Sequence, residues 1–405
     1  MSRGLLRGAA APAAAGSLVS LAAQALMALF LLKLFEPQAV GVFSVIAQTA
    51  FGWATLALAQ SPVSLLANQH LPALPAARQA LLASLQRWAW LAPAAALAVW
   101  WSAHCGSAWP GALAWATAIA LMQMGWLLAQ SLSLRIHRPL SIAAVRMVPP
   151  VLAALLAGAA ALAPGWRSSD ALAAAALLGY TAGALWLSPV LRATSNLHAP
   201  SSTAPADQRS ERLKFIHTLS DVLVATALAT HWSSVHGAAQ AGCLLILLRV
   251  TGFIPALVST AWAQVVLSRP QAQRPPSTLA ALTGAGAVAT VGLLAHLALQ
   301  AGWLSASWAP LALYLWPVVL WQASACLIAA VSHRLFQGGR SVAYTRQCLS
   351  INAVQALLLV LPPWLGWSVQ AHLWALAGFL CVALSLQALW AARLPVPAPS
   401  LTART

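Results

Sequence analysis

Residues Asp221 to Pro270 read DVLVATALATHWSSVHGAAQAGCLLILLRVTGFIPALVSTAWAQVVLSRP. Two apolar runs meet at a short small-residue turn, and before Arg269 only Asp221 and Arg249 carry a full charge. With its flanks, each run is long enough to cross a hydrocarbon core of about 30 Å as an α-helix. A charge at that depth costs at least about 2.5 to 3.5 kcal/mol on insertion scales, so by default it faces an interior cavity and marks a function. The stretch therefore predicts a membrane-embedded helical hairpin with one acidic and one basic residue turned inward.

The rest of the chain agrees. Of 405 residues 61% are hydrophobic and only 6% charged, a composition that leaves a soluble fold nothing with which to cover its surface. Windows of about 20 residues place spans at 13–32, 40–60, 82–103, 112–132, 142–162 and 171–191, then at 215–230, 241–266, 279–299, 310–331, 348–365 and 369–390. The run at 13–32 imitates a secretory signal but is longer than a signal core, so it is read as the first membrane helix. The prediction is an all-α polytopic membrane protein of about 12 transmembrane helices, in two six-helix bundles around a central cavity.

Charge placement tests that count. Of the 21 lysines and arginines, eighteen fall in alternate segments, while the opposite segments hold Lys33 and Arg167 and one span holds Arg249. By the positive-inside rule both termini are cytoplasmic, and the excess of base needs no nucleic-acid partner. The polar stretch RATSNLHAPSSTAPADQRSERLK at 192–214 has linker composition. It divides the chain into an N-terminal half at 1–192, a cytoplasmic linker at 193–214 and a C-terminal half at 215–405. Because six is even, both halves enter from one side, so a repeat between them is parallel. Sliding by 201 residues lays AVGVFSVIAQ, Ala39 to Gln48, on QAGCLLILLR, Gln240 to Arg249. Gly41 then matches Gly242, and Gln48 matches Arg249.

Candidate site residues follow from cost and position. Arg249 offers a permanently charged, bidentate fork to an anionic group. Asp221 either pairs with it and locks two helices, or tunes it or binds a coupling cation. Gln24 and Gln48 lie on the helices expected to flank the same cleft, and are the uncharged candidates for substrate binding. Gln123, Gln264, Gln322, His217 and His296 read as interhelical hydrogen-bonding groups. Pro255, just past Arg249, frees a backbone carbonyl and allows a kink. Arg87 and Arg146 sit near cytoplasmic span ends, where their side chains can snorkel to headgroups. The 20 tryptophans read mainly as interfacial belts, and the five scattered cysteines as small buried hydrophobes with no metal-ligand spacing.

Several function classes are excluded. No GxxxxGK[ST] loop is present, so the chain hydrolyses no nucleotide by itself. The outer loops hold only Glu36 and Asp170, too few carboxylates for a membrane glycosyltransferase, and no long outer loop of the kind a polymerase carries is present. ANQHLPALPAARQA, at 67–80, lacks the Gly-x-x-x-Asp-Arg/Lys signature of major-facilitator transporters.

Two segments carry a resemblance. LLKLFEPQAVGVFSVIAQTAFGWATLALAQSPVSLLANQ, Leu31 to Gln69, is similar to the opening of polysaccharide flippases, where an apolar helix leads through a P-x-x-x-G-x-[FY] turn into a second. The stretch from Asp221 to Pro270 resembles their seventh and eighth helices, with an acidic residue, a glycine turn, an arginine and a closing proline. The family is the polysaccharide and O-antigen branch of the multidrug, oligosaccharidyl-lipid and polysaccharide exporter superfamily. The aromatic usual after the second-half glycine is replaced in GCLL. The resemblance implies a transporter, not an enzyme, in the bacterial inner membrane. It would need no cofactor, and would flip an undecaprenyl-pyrophosphate-linked sugar or oligosaccharide to the periplasmic leaflet beside glycosyltransferases and a polymerase. Arg249 would hold the pyrophosphate or an acidic sugar. A cation-coupled multidrug or small-metabolite exporter of the same superfamily is the alternative.

Overall fold

The structure is a computed structural model that describes residues 3–59, 61–67, 71–104, 109–136, 139–192, 208–268, 276–337 and 341–394. Apart from short turns the described residues are helical, with no strand among them. In the first half the helices are α1 (Arg3–Leu34), α2 (Pro37–Leu58), α3 (Ser61–Ala67), α4 (Ala73–His104), α5 (Trp109–Ile136), α6 (Pro139–Leu162), α7 (Ser169–Ala184) and α8 (Ser188–Arg192). Then come α9 (Gln208–His236), α10 (Ala238–Ser268), α11 (Ser277–Gln300), α12 (Leu311–Gln337), α13 (Ser341–Trp364) and α14 (Val369–Ala392). Each of the twelve predicted spans falls on one of these, the sixth on α7 and α8 together; α3 is additional.

Among the described residues nine helices are long and apolar enough to cross a membrane: α2, α5, α6, α7 with α8, and α10 to α14. The others, α1, α4 and α9, are as long or longer. In α1 the apolar stretch among the described residues is Leu18–Leu34, while the run in α9 is interrupted by Asp221, His231 and serines and that in α4 by Arg78 and Arg87. The predicted linker is cut short by structure, because α9 begins at Gln208, while residues 193–207 lie outside the described residues.

Helix boundaries repeat. The starts of α2 and α10, Pro37 and Ala238, are 201 residues apart, as are the ends of α5 and α12, Ile136 and Gln337. The α6 and α13 boundaries are offset by 202 and those of α7–α8 and α14 by 200. Packing repeats as well: α4 on α5, α5 on α7 and α6 on α7 recur as α11 on α12, α12 on α14 and α13 on α14. The faint alignment of two decapeptides is therefore the trace of a repeat that runs through helix lengths and partners.

Two compact units are distinguishable. The first contains Met1–Glu211 together with Asp221–Ser233 and Gly237–Gly242; the second contains Arg212–Ser220, Ser234–His236 and Cys243–Thr405. The α9–α10 hairpin thus contributes to both. In the first unit α1 packs along α6, and α5 is surrounded by α2, α4 and α7. The second is tied by a bond from Asn352 Nδ2 of α13 to Ser220 Oγ of α9 at 2.9 Å. His217 of α9 meets Tyr344 edge-on at 5.3 Å, and Gln387 Nε2 of α14 bonds Cys348 Sγ of α13 at 3.4 Å. These are the interhelical roles expected of span polar groups.

Within the first unit α2 and the first turn of α10 approach backbone to backbone. A Cβ placed on Gly41 would lie 1.8 Å from the Ala238 carbonyl oxygen, and one on Gly242 would lie 2.1 Å from that of Pro37. Since 37 and 41 become 238 and 242 on adding 201, the two contacts are one contact seen twice, as a local two-fold relation requires. The glycine hydrogens that replace Cβ point at those carbonyls. A Cα–Cβ bond of about 1.5 Å puts the Gly41 Cα no more than about 3.3 Å from its oxygen, at the short end of Cα–H···O contacts. Such contacts are worth about 0.5 to 1 kcal/mol each.

Two expectations about side chains are corrected here. Arg87 does not snorkel: its Nε donates to the Ala57 carbonyl at 2.7 Å and its Nη2 to that of Leu58 at 3.0 Å, with Ser61 and Ser84 hydroxyls alongside. It closes the C-terminal end of α2, whose last carbonyls have no partner within the helix. The tryptophans are not all at the interface, because Trp232 and Trp308 are completely buried and Trp53 stacks on Trp88 at 5.6 Å. Trp364 and Trp367 are exposed, as a belt requires. Cys243, Cys326 and Cys348 are buried free thiols, as predicted, while Cys105 lies outside the described residues.

Candidate functional site

The four residues predicted for the site fall on α1, α2, α9 and α10, each well inside its helix. Gln24 is ten residues from the end of α1 at Leu34, Gln48 eleven from the start of α2 at Pro37, and Arg249 eleven from the start of α10 at Ala238. At 1.5 Å per residue all three lie about 15 to 17 Å from the end of their own helix that the charge pattern assigns to the exterior. Asp221 is fifteen residues from the α9 end at His236, about 22 Å and one turn deeper. Arg249 is deeper than its apolar window indicates, because α10 begins three residues before Ala241.

Face and level are both set by the glycines. Gly41, Val45, Gln48 and Gly52 follow one another at spacings of four, three and four, so they line a single face of α2. The ends of that stripe have known neighbours. Gly41 meets α10 at Ala238, and a Cβ on Gly52 would lie 2.9 Å from Val222 Cγ1 and 2.8 Å from Thr226 Oγ1 of α9. Gln48 therefore sits on the face of α2 turned toward the α9–α10 hairpin, one turn from Gly52. The register repeats the stripe on α10 as Gly242, Ile246, Arg249 and Phe253. Arg249 is thus on the glycine-bearing face of α10, seven residues and about 10 Å below Gly242.

Chemically the positions come in matched pairs. Subtracting 201 takes Arg249 to Gln48 and Asp221 to Ser20. Ser20 accepts a hydrogen bond from Gln24 Nε2 at 3.3 Å, so α1 presents a neutral amide and hydroxyl where α9 presents a carboxylate. Ser20 escaped the sequence reading because a serine in an apolar run costs little; the register is the signal that finds it. The Asp221 and Arg249 side chains are exposed, whereas Gln24 and Gln48 are half-buried. In the first unit the structure brings Gln48 and Asp221 onto packed helices and joins Gln24 to Ser20. Arg249 belongs to the second unit.

Below Arg249, α10 is adapted to bend. Pro255 lies inside the helix and cannot donate to the Thr251 carbonyl four residues earlier. The Thr251 hydroxyl turns back to the Leu247 carbonyl at 2.6 Å, a bond that often accompanies a curved helix. Gly252 leaves room beside the buried Gln322 of α12. His296 lies beside Trp316 at 5.8 Å, the Gln264 side chain is outside the described residues, and no metal-ligating cluster occurs among those described.

No protein-family model matches the chain, and no curated protein matches it. Solved structures do. The chain is similar, at 12% identity and a TM-score of 0.56, to an inward-facing conformation of a multidrug resistance MATE family transporter of the MOP superfamily, over 93% of this chain and 97% of that one. It is also similar to the MATE multidrug transporter DinF-BH in a ligand complex, at 14% identity and a TM-score of 0.54, over 96% and 95%. At such identities the likeness establishes the fold alone, a MATE-like transporter fold over 93 to 96% of this chain.

Proposed function

We propose that the chain is an alternating-access membrane transporter that carries a lipid-linked saccharide with an anionic headgroup from the cytoplasmic to the outer leaflet. The observation that carries this reading is the asymmetry between matched positions, Gln48 in the first repeat and Arg249 in the second, each eleven residues from the start of its own helix. A permanently charged guanidinium suits a pyrophosphate or an acidic sugar, and the amide and hydroxyl donors of Gln24, Gln48 and Ser20 suit sugar hydroxyls. The MATE-like fold supports transport, and the motif resemblance at Leu31 to Gln69 and Asp221 to Pro270 supports the saccharide class. Asp221 takes the role of a charge partner or of a coupling-cation site.

A second reading has its own support. Two solved structures that the chain resembles are multidrug transporters, and a carboxylate such as Asp221 suits a cationic cargo. The two are separated by deleting the gene in its native bacterium, measuring lipid-linked saccharides by mass spectrometry and probing their leaflet with an impermeant reagent. Accumulation on the cytoplasmic leaflet is the expected result. Unchanged saccharide levels with lowered tolerance to cationic compounds would replace the flippase reading by the drug-exporter one.

A further inference from the structure

We infer that Gly41 and Gly242 form a clasp that closes the outer side of the transport path, and that absence of a side chain at these two positions is what lets it close. The inference rests on the transporter reading for its meaning, but not on any particular cargo. Both glycines, with Pro37 and Ala238, lie within the first compact unit. They are in the first turns of α2 and α10, at the ends that charge placement assigns to the exterior. The geometry leaves no space for a methyl group: real Cβ atoms essentially never come within 3.0 Å of a neighbour, and here the distances would be 1.8 and 2.1 Å. Alanine at position 41 must therefore push the first turns apart by more than about 1 Å, and a larger side chain by more.

Position ties the clasp to the site. Seven residues below each glycine, on its own stripe, stand Gln48 and Arg249. Between glycine and site residue each stripe carries one apolar side chain, Val45 on α2 and Ile246 on α10, and both are almost fully buried at 2% and 1% exposed. From the exterior, each helix thus presents a backbone contact, then an apolar plug, then the polar residue. The contact is made by backbone carbonyls and glycine Cα–H groups. Such a closure excludes water without being strong, as a step that must open once per cycle requires. The sequence repeat explains why both partners are glycine: residues related by a two-fold that passes between them meet their own counterparts, so a side chain on either one would obstruct both.

The test reads conformation and needs no substrate. In a cysteine-free full-length background, Val45→Cys is exposed to a membrane-impermeant maleimide from the outer side, in cells or in oriented proteoliposomes. With both glycines present, labelling is expected to be slow. Gly41→Leu or Gly242→Leu should accelerate it at least about tenfold, because a minor open state of a few per cent becomes the major one. Gly41→Ala and Gly242→Ala, which tax folding least, should accelerate it about threefold or more by the same shift. Insertion and a monodisperse profile in detergent verify that each variant is folded. Fast labelling in the parent, or rates within about twofold of the parent in both folded alanine variants, would overturn the clasp. If instead the labelling behaves as expected while saccharide stays in its normal leaflet on gene deletion, the clasp stands and the cargo assignment falls.

Discussion

Arg87 is the point at which the structure makes its most quantitative claim about stability. Its guanidinium reaches from α4 to the last turn of α2, donating to the Ala57 carbonyl at 2.7 Å, the Leu58 carbonyl at 3.0 Å and the Ser84 hydroxyl at 3.3 Å, while Ser84 in turn donates to Ser61 at 3.0 Å. Hydrogen bonds to a charged donor contribute about 1.5 to 3 kcal/mol each, and truncating one member of a buried network leaves the others unsatisfied. Two carbonyls lose their donor in Arg87→Ala while the two hydroxyls keep each other, so at about 1 to 2 kcal/mol for each part-buried acceptor the loss should be about 2 to 4 kcal/mol. Arg87→Lys keeps the charge but offers a point donor instead of a fork, and should recover about half. The assay is unfolding of the purified protein in mixed micelles at increasing dodecyl sulfate, followed by circular dichroism. A loss below about 1 kcal/mol in the alanine variant would mean that the side chain does spend its time among lipid headgroups, and that the α2 terminus is satisfied otherwise.

Other consequences are smaller in scope. Asn352→Ala removes the 2.9 Å bond to Ser220 and should cost about 1 kcal/mol in the same titration, with transport retained. Gly52→Leu should separate α2 from α9 at Val222 and Thr226 and abolish transport without loss of insertion; wild-type activity would mean that this contact is not needed. Asp221→Asn should change the dependence of transport on the proton or sodium gradient, measured with ionophores, and an unchanged dependence would leave Asp221 without a coupling role. If Asp221 and Arg249 act only as a structural pair, Asp221→Ala/Arg249→Ala should be more stable than either single variant, with a coupling of about 0.5 to 3 kcal/mol.

Hydropathy alone located a helix for each of the twelve predicted spans, nine of them long and apolar enough to cross a membrane among the described residues, because in a bilayer the apolar requirement acts on every helix separately and needs no partner. It placed the ends poorly for the same reason. The α4 and α9 helices continue into charged sequence at Ala73 and Gln208, where helix geometry persists but the apolar signal stops. Seven residues of α3, Ser61–Ala67, are too few to register in a window of about 20. Arg87 was legible as a cation near a span end, but its partners are 26 to 30 residues away on other elements, and only a fold brings them together. Which tryptophans leave the belt, as the buried Trp232 and Trp308 do, is not legible in the sequence, because tryptophan enters interiors and interfaces alike. Gly41 and Gly242 show a different limit. Their correspondence could be read by sliding the sequence over itself, whereas their contact could not, since repeat symmetry relates two positions without saying that the axis passes between them. Ser20 is the converse, a residue that becomes visible only once the register is trusted over the whole helix.

Transport of an anionic headgroup depends on Arg249, and reconstitution measures that dependence. Purified protein in proteoliposomes containing a fluorescent undecaprenyl-pyrophosphate-linked saccharide should render the inner-leaflet lipid accessible to an impermeant quencher over time. Arg249→Ala should lower that rate at least about tenfold with insertion unchanged, and Arg249→Lys should retain part of it, the difference between a bidentate fork and a point charge. Translocation by Arg249→Ala at the wild-type rate would leave the cation on α10 without a role in carrying the cargo.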